Sequence, residues 1–216
     1  MDRPAAYYGP DELADLGLAS CGHDVLISRK SSIHHAARVR VGNHVRIDDF
    51  VVLTGGPDED VRIGDHVHIG AHAALYGGGG IALEDYVTVS GRSSVYSVTD
   101  DYGGDVMTNP TVPERFTRVI RARVRLGRHV VLGAGSVVLP GVAIGEGCAI
   151  GAMTLVTRSL EPWGIYVGVP ARLLRPRSRA LLALAARLVA EEDEASQPPR
   201  GDVRAEPLSD ARGTVG

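Results

Sequence analysis

An uninterrupted six-residue repeat over residues 126–157 constrains the fold of this chain more than any other feature. The aliphatic positions of one register are Leu126, Leu132, Val138, Ile144, Ile150 and Val156. An amphipathic helix repeats its apolar residues every 3.6 positions and a strand every two, so a strict period of six fits neither element. Such a period is typical of a parallel β-helix, in which each hexad forms one strand and one turn and three hexads close a coil. The sequence therefore predicts an all-β solenoid.

The same register extends towards the N-terminus with interruptions of different length. Blocks of similar sequence begin at residues 39, 61, 81 and 124. The longest interruption covers residues 99–122, and the repeat resumes at Arg123. Because long loops inside regular folds are usually functional or disordered, we expect this segment to carry part of the functional site. The four glycines at 77–80 are predicted to form a flexible corner insertion, since no helix follows them as in a phosphate-binding loop.

Composition narrows the classes of function. The 216 residues are 44% hydrophobic and carry a formal net charge of −3, which favours one globular unit and argues against bulk nucleic-acid binding. No apolar run resembles a signal peptide or a membrane span, so we expect a cytoplasmic protein that does not bind membranes. Two cysteines cannot form a disulfide framework, and Cys148 occupies an inward position of the repeat, where we expect it in the core.

The segments outside the repeat are predicted to be caps and a tail. Residues 1–23 form an N-terminal cap segment with a short helix at 10–18, and the β-helix domain spans residues 24–173. Residues 174–194 are predicted to contain a C-terminal helix whose apolar stripe is able to cover the last coil. The Pro, Gly, Asp and Arg content of residues 195–216 predicts a disordered tail.

Three stretches add a family resemblance to the repeat. Their sequences are YSVTDDY at 96–102, TNPTVP at 108–113 and WGIYVGVPAR at 163–172. With the hexads, they resemble the hexapeptide-repeat acyltransferases over about residues 20–180. The resemblance implies a left-handed parallel β-helix, a homotrimer and acetyl-CoA as acyl donor, with no metal expected. Within the family the chain is similar to the galactoside O-acetyltransferase-like branch, especially to acetyltransferases of nucleotide-linked amino-deoxysugars.

The resemblance places the active site in the cleft between two subunits, with residues 99–123 as the loop over it. Many family members carry a histidine base at the start of this loop, and the matching position here is Asp100. We expect Asp100 and Asp101 to act as base or to hold an acceptor ammonium group. The alternative is that these adjacent aspartates only form a turn. Tyr102 and Asn109, on the same loop, are the implied substrate-binding residues.

Histidines offer a second candidate base and a possible metal site. His68 precedes an inward aliphatic residue at an outward strand position, and the resemblance places it beside the acceptor pocket. A solvated or trimer-packing histidine is the alternative. The residues that share a corner register, three before an aliphatic, are His44, His66, His72, Tyr86 and His129. A zinc site built from His66, His68 and His72 is disfavoured, because two of these residues are at corners and one is on a strand.

Donor binding is expected on the outside of the later coils. The residues that the resemblance implies are Ala134, Ala152, Thr157, Arg158, Arg172 and Arg175. The two alanines would contact pantetheine, whereas Arg172 and Arg175 would meet the phosphates, whose geometry suits a guanidinium group. Alternatively, these arginines only solvate the chain where it leaves the solenoid.

The implied chemistry is direct attack of an acceptor on the thioester, without a covalent acyl-enzyme. An aspartate has an ordinary pKa of about 3.9, against about 6.5 for histidine, and is the weaker base. An amine acceptor, which offers some free base at neutral pH, is therefore favoured over a hydroxyl. O-acetylation of a sugar hydroxyl stays open as an alternative, as do a zinc-dependent enzyme and a non-catalytic solenoid.

Overall fold

Short strands stack into three sheets in the computed structural model, which describes residues 6–196. Sheet A contains Ser20–Cys21, Val39–Val41, Val61–Ile63, Ile81–Leu83, Val124–Leu126 and Ala143–Ile144. Sheet B contains Leu26–Ile27, Arg46–Ile47, His68–Ile69, Thr88–Val89, Val131–Leu132, Ala149–Ile150, Gly164–Val167 and Arg172–Pro176. Sheet C contains Ser32–His34, Val52–Gly55, Ala74–Gly77, Ser94–Tyr96, Val137–Val138 and Leu155–Val156. Successive coils supply successive strands in parallel, and within these three sheets of the described residues only the last two strands of sheet B pair antiparallel. The parallel β-helix predicted from the hexads is confirmed.

The core is a set of aliphatic columns that run along the solenoid. In sheet B the inward column consists of Ile27, Ile47, Ile69, Val89, Leu132 and Ile150, each directly paired with the next. These side chains are 0–3% exposed. Burial of one such side chain contributes about 1.5–3 kcal/mol. The six-residue period therefore places every inward aliphatic on its equivalent in the next coil.

Aromatic rings stack along the corner between sheets A and B. His44, His66, Tyr86 and His129 form this ring ladder, with centroids 4.6–4.9 Å apart and nearly parallel planes. All four residues have positive φ angles of 54–61°. His72 shares their hexad register but lies at the corner between sheets B and C, where its ring stacks on Phe50 at 4.9 Å. The hexad period alone could not separate these corners, because a coil has three of them.

The ends of the chain differ from the predicted bounds. Helix α1 spans Pro10–Asp15, and helix α2 spans Leu181–Ser196. Residues 172–176, part of which was predicted to be helical, form a strand instead, since Pro176 disfavours a helical Arg175. Among the described residues, those from 179 to 196 form a separate unit. The covering of the last coil by α2 stays a prediction, and residues 197–216 of the predicted tail lie outside the described residues.

The described residues also form two short 3-10 helices, Ala36–Arg38 and Glu114–Phe116, and an antiparallel pair of strands, Val98–Asp100 and Val119–Arg121. Cys148 is fully buried, as predicted, and its thiol donates to the Glu161 carbonyl at 3.0 Å. Burial raises the pKa of the Cys148 thiol, which keeps it protonated and unreactive.

Among the described residues, no helix combines the length and apolar character needed to span a membrane.

Candidate active site

The segment that interrupts the repeat is a two-stranded hairpin. Val98–Asp100 pairs antiparallel with Val119–Arg121, so Asp100 faces Val119 in the ladder. At the base of the hairpin the Ala122 N–H donates to the Ser97 carbonyl at 2.9 Å. The predicted loop over residues 99–123 thus begins in one regular strand and ends two residues after another. We call residues 98–121 the site hairpin.

The four-glycine run lies at the corner between sheets C and A, where it supports the base of the site hairpin, and its flexibility stays a prediction. The Gly79 N–H donates to the Ser97 hydroxyl at 2.9 Å. A Cβ at Gly79 would lie 2.3 Å from the Ser97 carbonyl oxygen and 2.8 Å from the Ala122 nitrogen. Glycine is required here because two backbone segments approach too closely for any side chain.

A cavity of about 840 Å³ lies between the site hairpin and sheet C. Its lining includes Tyr76, Tyr96, Thr99, Asp100, Tyr102, Asn109, Pro110, Val112, Arg121, Leu139 and Pro140. Three residues predicted from the sequence, Asp100, Tyr102 and Asn109, therefore come together in one cavity. The volume falls in the range of pockets that bind small molecules and cofactors.

Two stacked tyrosines form one wall of this cavity. Tyr76 and Tyr96 are directly paired on adjacent strands of sheet C, and their rings lie 4.8 Å apart with an interplanar angle of 15°. Neither tyrosine was predicted as a site residue, although each follows an inward aliphatic residue, Leu75 or Val95, in equivalent coils. It also missed Arg121, which brings a cationic group to the same cavity.

The polar groups of the cavity wall come from the site hairpin. Asp100 is half-buried, and its Oδ2 accepts a long hydrogen bond from the Asn109 N–H at 3.4 Å. The Asn109 side-chain oxygen accepts from the N–H and the hydroxyl of Thr111, both at 3.0 Å. Tyr102 is 86% exposed. A ligand amino group could thus reach the Asp100 carboxylate from the cavity.

Asp101 has different surroundings from its neighbour. Its carboxylate accepts from Arg118 at 2.8 Å and from the Gly103 N–H at 2.7 Å. Asp101 is absent from the residues that line the cavity. These contacts match the turn-forming alternative, whereas Asp100 faces the cavity.

His68 belongs to sheet B and lies outside the cavity of its own chain. Its Nε2 is 2.8 Å from Oδ2 of Asp48. The other carboxylate oxygen of Asp48, Oδ1, accepts from Arg46 at 2.6 Å and from the Tyr7 hydroxyl at 3.4 Å. Although burial acts to raise it, the hydrogen bonds from His68 and Arg46 hold the pKa of Asp48 below its usual value. Asp48 stays ionised and fixes the orientation of the imidazole.

The three histidines weighed as zinc ligands lie at different places. His66 belongs to the ring ladder, His72 stacks on Phe50 at another corner, and His68 bonds to Asp48 on a strand. They do not converge on a common point in the described part of the chain.

The predicted donor residues occupy two exposed regions. Ala134 and Ala152 lie in successive coils at the corner between sheets B and C, and the Ala134 carbonyl accepts from the Met153 N–H at 2.9 Å. Thr157 and Arg158 follow the last strand of sheet C, whereas Arg172 and Arg175 lie on the last strand of sheet B. Those four side chains are exposed.

Arg177, the next basic residue along the chain, has a structural role. Its Nη1 donates to the carbonyl oxygens of His129 at 2.8 Å, Gly147 at 3.0 Å and Cys148 at 3.2 Å. One guanidinium group thus connects the segment after the last strand of sheet B to two earlier coils.

Comparisons with known proteins match this architecture. The family model described as bacterial transferase hexapeptide (six repeats) matches residues 123–158, and the hexapeptide repeat of succinyl-transferase matches residues 60–95. A dTDP-4-amino-4,6-dideoxy-D-glucose acyltransferase of Escherichia coli is 39% identical over 179 residues, which cover 83% of this chain and 93% of that protein. The chain belongs to the hexapeptide-repeat acyltransferases. The enzyme is therefore an acyltransferase, and its fold is the left-handed parallel β-helix of that family.

Solved structures of acyltransferases also resemble this enzyme. An aspartate variant of AntD, an N-acyltransferase from Bacillus cereus, in complex with dTDP and coenzyme A, is 42% identical with a TM-score of 0.83, covering 86% of this chain and 98% of AntD. A serine variant in complex with dTDP-4-amino-4,6-dideoxyglucose and coenzyme A is 40% identical, also with a TM-score of 0.83. It covers 88% of this chain and all of its own. A Vibrio cholerae hexapeptide-repeat acetyltransferase, 17% identical with a TM-score of 0.54, shares only the fold.

Proposed function

We propose that the enzyme transfers the acetyl group of acetyl-CoA to the amino group of a nucleotide-linked amino-deoxysugar. The observation that carries the proposal is near-full-length similarity to a dTDP-4-amino-4,6-dideoxy-D-glucose acyltransferase and to an N-acyltransferase solved with dTDP-4-amino-4,6-dideoxyglucose and coenzyme A. The cavity at the site hairpin supplies groups that suit such an acceptor.

The acceptor combines a planar base, two phosphates and a sugar, and the cavity offers a partner for each kind of group. Tyr76 and Tyr96 present aromatic surface against which a flat ring or the apolar face of a sugar can pack. Arg121 supplies a cation that suits a phosphate. Asn109 and Asp100 add hydrogen-bonding groups at the hairpin end.

In this proposal Asp100 accepts the proton that the attacking amine must lose. The amine nitrogen forms a bond to the thioester carbonyl carbon, and backbone N–H groups stabilise the oxyanion. The carbon–sulfur bond then breaks, and the leaving sulfur takes up the proton that Asp100 accepted, so coenzyme A leaves as its thiol and the carboxylate is regenerated. AntD has been solved with an aspartate replaced and with a serine replaced, ten positions apart in that protein. Ser90 and Asp100 have the same spacing here.

Transfer to a sugar hydroxyl is the second candidate function, favoured by the His68–Asp48 pair. An imidazole held 2.8 Å from an ionised carboxylate is a suitable base for a hydroxyl group. Because His68 lies on sheet B and the cavity borders sheet C, this pair can serve the cavity only across a subunit interface. The homotrimer that would provide the interface is part of the proposal, and a cytoplasmic location stays a prediction.

The donor assignment also stays a proposal. The exposed row of Ala134 and Ala152 leaves a surface on which pantetheine can lie along the solenoid, with Thr157 and Arg158 further along. Arg172 and Arg175 provide the positive charge that a phosphate-bearing donor needs.

The test is an assay of the purified full chain with acetyl-CoA and dTDP-4-amino-4,6-dideoxyglucose. We expect thiol release that depends on the amino sugar and a product whose acetyl group is on nitrogen, identified by mass spectrometry and NMR. An ester product would instead support the hydroxyl alternative. Thiol release no faster than hydrolysis, with this and other nucleotide-linked amino sugars, would contradict the proposal.

Titration calorimetry tests the donor residues separately. Arg172→Ala and Arg175→Ala should each raise the dissociation constant for acetyl-CoA, because each removes a cation from the proposed phosphate site. Arg187→Ala, an exposed change on α2, is the matched control and should leave the constant unchanged. Unchanged affinity in the first two variants would refute the donor assignment.

A further inference from the structure

Three metal-ligating side chains converge where the first two coils meet. Oδ2 of Asp24 lies 3.2 Å from Nδ1 of His23 and 3.5 Å from Nδ1 of His44. The three ligand atoms lie within 4.8 Å of one another. Two imidazole nitrogens and one carboxylate oxygen form a set that zinc and similar divalent cations use in proteins.

The backbone and the ring ladder hold two of these side chains in place. Asp24 and His44 have positive φ angles of 52° and 54°, which fix the corner at both residues. The His44 N–H donates to the His23 carbonyl at 2.9 Å. The His44 ring also stacks on His66 at 4.6 Å with an interplanar angle of 12°, so its plane is defined by a neighbour. His44 therefore presents Nδ1 to Asp24 without rearrangement.

The distances suit a tetrahedral cation. Metal–ligand bonds of roughly 2.0–2.2 Å place neighbouring ligand atoms about 3.4 Å apart. The two distances from Asp24 lie on either side of this value. His23 is 67% exposed, so a small rotation of its side chain brings its nitrogen closer to that of His44.

We propose that His23, Asp24 and His44 bind one divalent transition-metal cation, of the class of Zn²⁺, Co²⁺ or Ni²⁺. The imidazole nitrogens select these ions over Mg²⁺ and Ca²⁺, which prefer oxygen ligands. A neighbouring cavity of about 540 Å³, lined in part by Cys21, His23 and Asp24, gives solvent access for water as a fourth ligand.

The position of the site indicates a structural role for the cation. His23 and Asp24 belong to the first coil and His44 to the second, so the cation links the N-terminal end of the solenoid to the coil below. The site lies at the corner between sheets A and B, whereas the cavity with Asp100 borders sheet C. Binding should therefore stabilise the fold without entering the acyl-transfer reaction.

The experiment uses the untagged full chain, freed of metal by a chelator and then dialysed. We expect CoCl₂ to give saturable visible absorption at one ion per chain, ZnCl₂ to displace it, and MgCl₂ to have no effect. ZnCl₂ should also raise the melting temperature with increasing concentration, since the cation binds only the folded state. His44→Gln, Asp24→Asn and His23→Gln should each weaken Co²⁺ binding at least tenfold.

His72→Gln is the matched control, because His72 shares the hexad register of His44 but stacks on Phe50 at another corner. It should bind Co²⁺ like the parent chain. His23→Gln alters a largely exposed side chain and keeps the test decisive if His44→Gln does not fold. Absence of saturable binding, or equal binding in His23→Gln and the parent, would overturn the proposal. Neither result bears on the acetyl-transfer assay, which is run without added metal.

Discussion

The coils of residues 123–158 and the site hairpin belong to one chain but differ in how their side chains pack. In the coils each residue faces its equivalent in the next turn, as Leu132 faces Ile150, and the inward side chains are almost completely buried. In the hairpin Tyr102, Met107 and Phe116 are 86%, 57% and 49% exposed. The fold is thus stabilised by buried side chains that have an equivalent in the next coil. The candidate site uses side chains of the hairpin that have no such equivalent.

This contrast predicts that changes in the two regions have different consequences. Removal of an inward residue of a coil leaves a cavity that many neighbours share, so the free energy of unfolding should fall. Removal of a polar group from the hairpin should change the reaction and leave the fold intact, because that group has few packed neighbours.

The largest expected effect follows Asp100→Asn. If Asp100 accepts the amine proton, kcat should fall about 100- to 10,000-fold, or about 2.7–5.4 kcal/mol of barrier, with an unchanged melting temperature. Steady-state rates of thiol release and thermal unfolding measure the two properties.

Two further variants sharpen this result. Asp105→Asn, at another exposed carboxylate of the hairpin, should keep full activity. His68→Asn should cost far less than Asp100→Asn when the acceptor is an amine. A larger loss of kcat in His68→Asn than in Asp100→Asn would transfer the role of base to the His68–Asp48 pair.

The next effect is a loss of stability after Leu132→Ala in the coils. Leu132 is fully buried in the inward column of sheet B, so we expect a decrease of about 2–5 kcal/mol in the free energy of unfolding. Val131→Ala changes the adjacent outward residue and should cost much less. Urea denaturation of both variants checks the difference, and equal losses would argue against the columnar core.

A smaller decrease in the free energy of unfolding is expected for Arg177→Ala. This variant tests how the segment after the last strand of sheet B is attached to the coils. The change removes the donor to three carbonyl oxygens, and hydrogen bonds to charged groups contribute about 1.5–3 kcal/mol each in favourable cases. Because one nitrogen serves all three acceptors, we expect a total of about 1–3 kcal/mol. Arg175→Ala, an exposed change on the neighbouring strand, should stay within about 0.5 kcal/mol.

The smallest effect concerns pH and the ring ladder. Burial, together with Arg128 and Arg177 and against Glu146 and Asp85, lowers the pKa of His129. The unfolded chain then binds this proton more readily than the folded one, so stability is highest above the ordinary imidazole pKa and falls as pH decreases through it. Urea denaturation between pH 8 and 5.5 should show that the free energy of unfolding falls with pH. The slope should not exceed what the uptake of one proton allows. His129→Gln should reduce the slope, and an unchanged slope would contradict the assignment.

The fold could be predicted from the sequence because the hexads show both the six-residue period of the repeat and which residues point inward. Leu126 to Val156 mark every strand of the last regular coils, and each lies at the buried position that the register gives it. Bounds were less accessible where a local rule competed with the pattern. Arg172–Pro176, for example, is a strand and not the start of the helix, because Pro176 disfavours a helical Arg175 and the segment pairs with Gly164–Val167.

The candidate site could be predicted only in part. Asp100, Tyr102 and Asn109 were found through their position on a segment that leaves the repeat and through family resemblance. Tyr76 and Tyr96 were missed because an outward tyrosine in a regular coil looks like any surface residue. Only the site hairpin, which closes over sheet C, makes them a cavity wall.

The sequence by itself determined the β-helix, the buried columns and the place where the repeat stops. These features follow from spacing along one chain, and spacing is what a sequence records. The tertiary structure decided which corner each register position occupies, which of two adjacent aspartates faces the cavity, and which histidines meet a carboxylate. Those outcomes depend on contacts between residues far apart in sequence, about twenty positions for the histidine–carboxylate pairs and 17 for Asp101 with Arg118, so the local pattern does not record them.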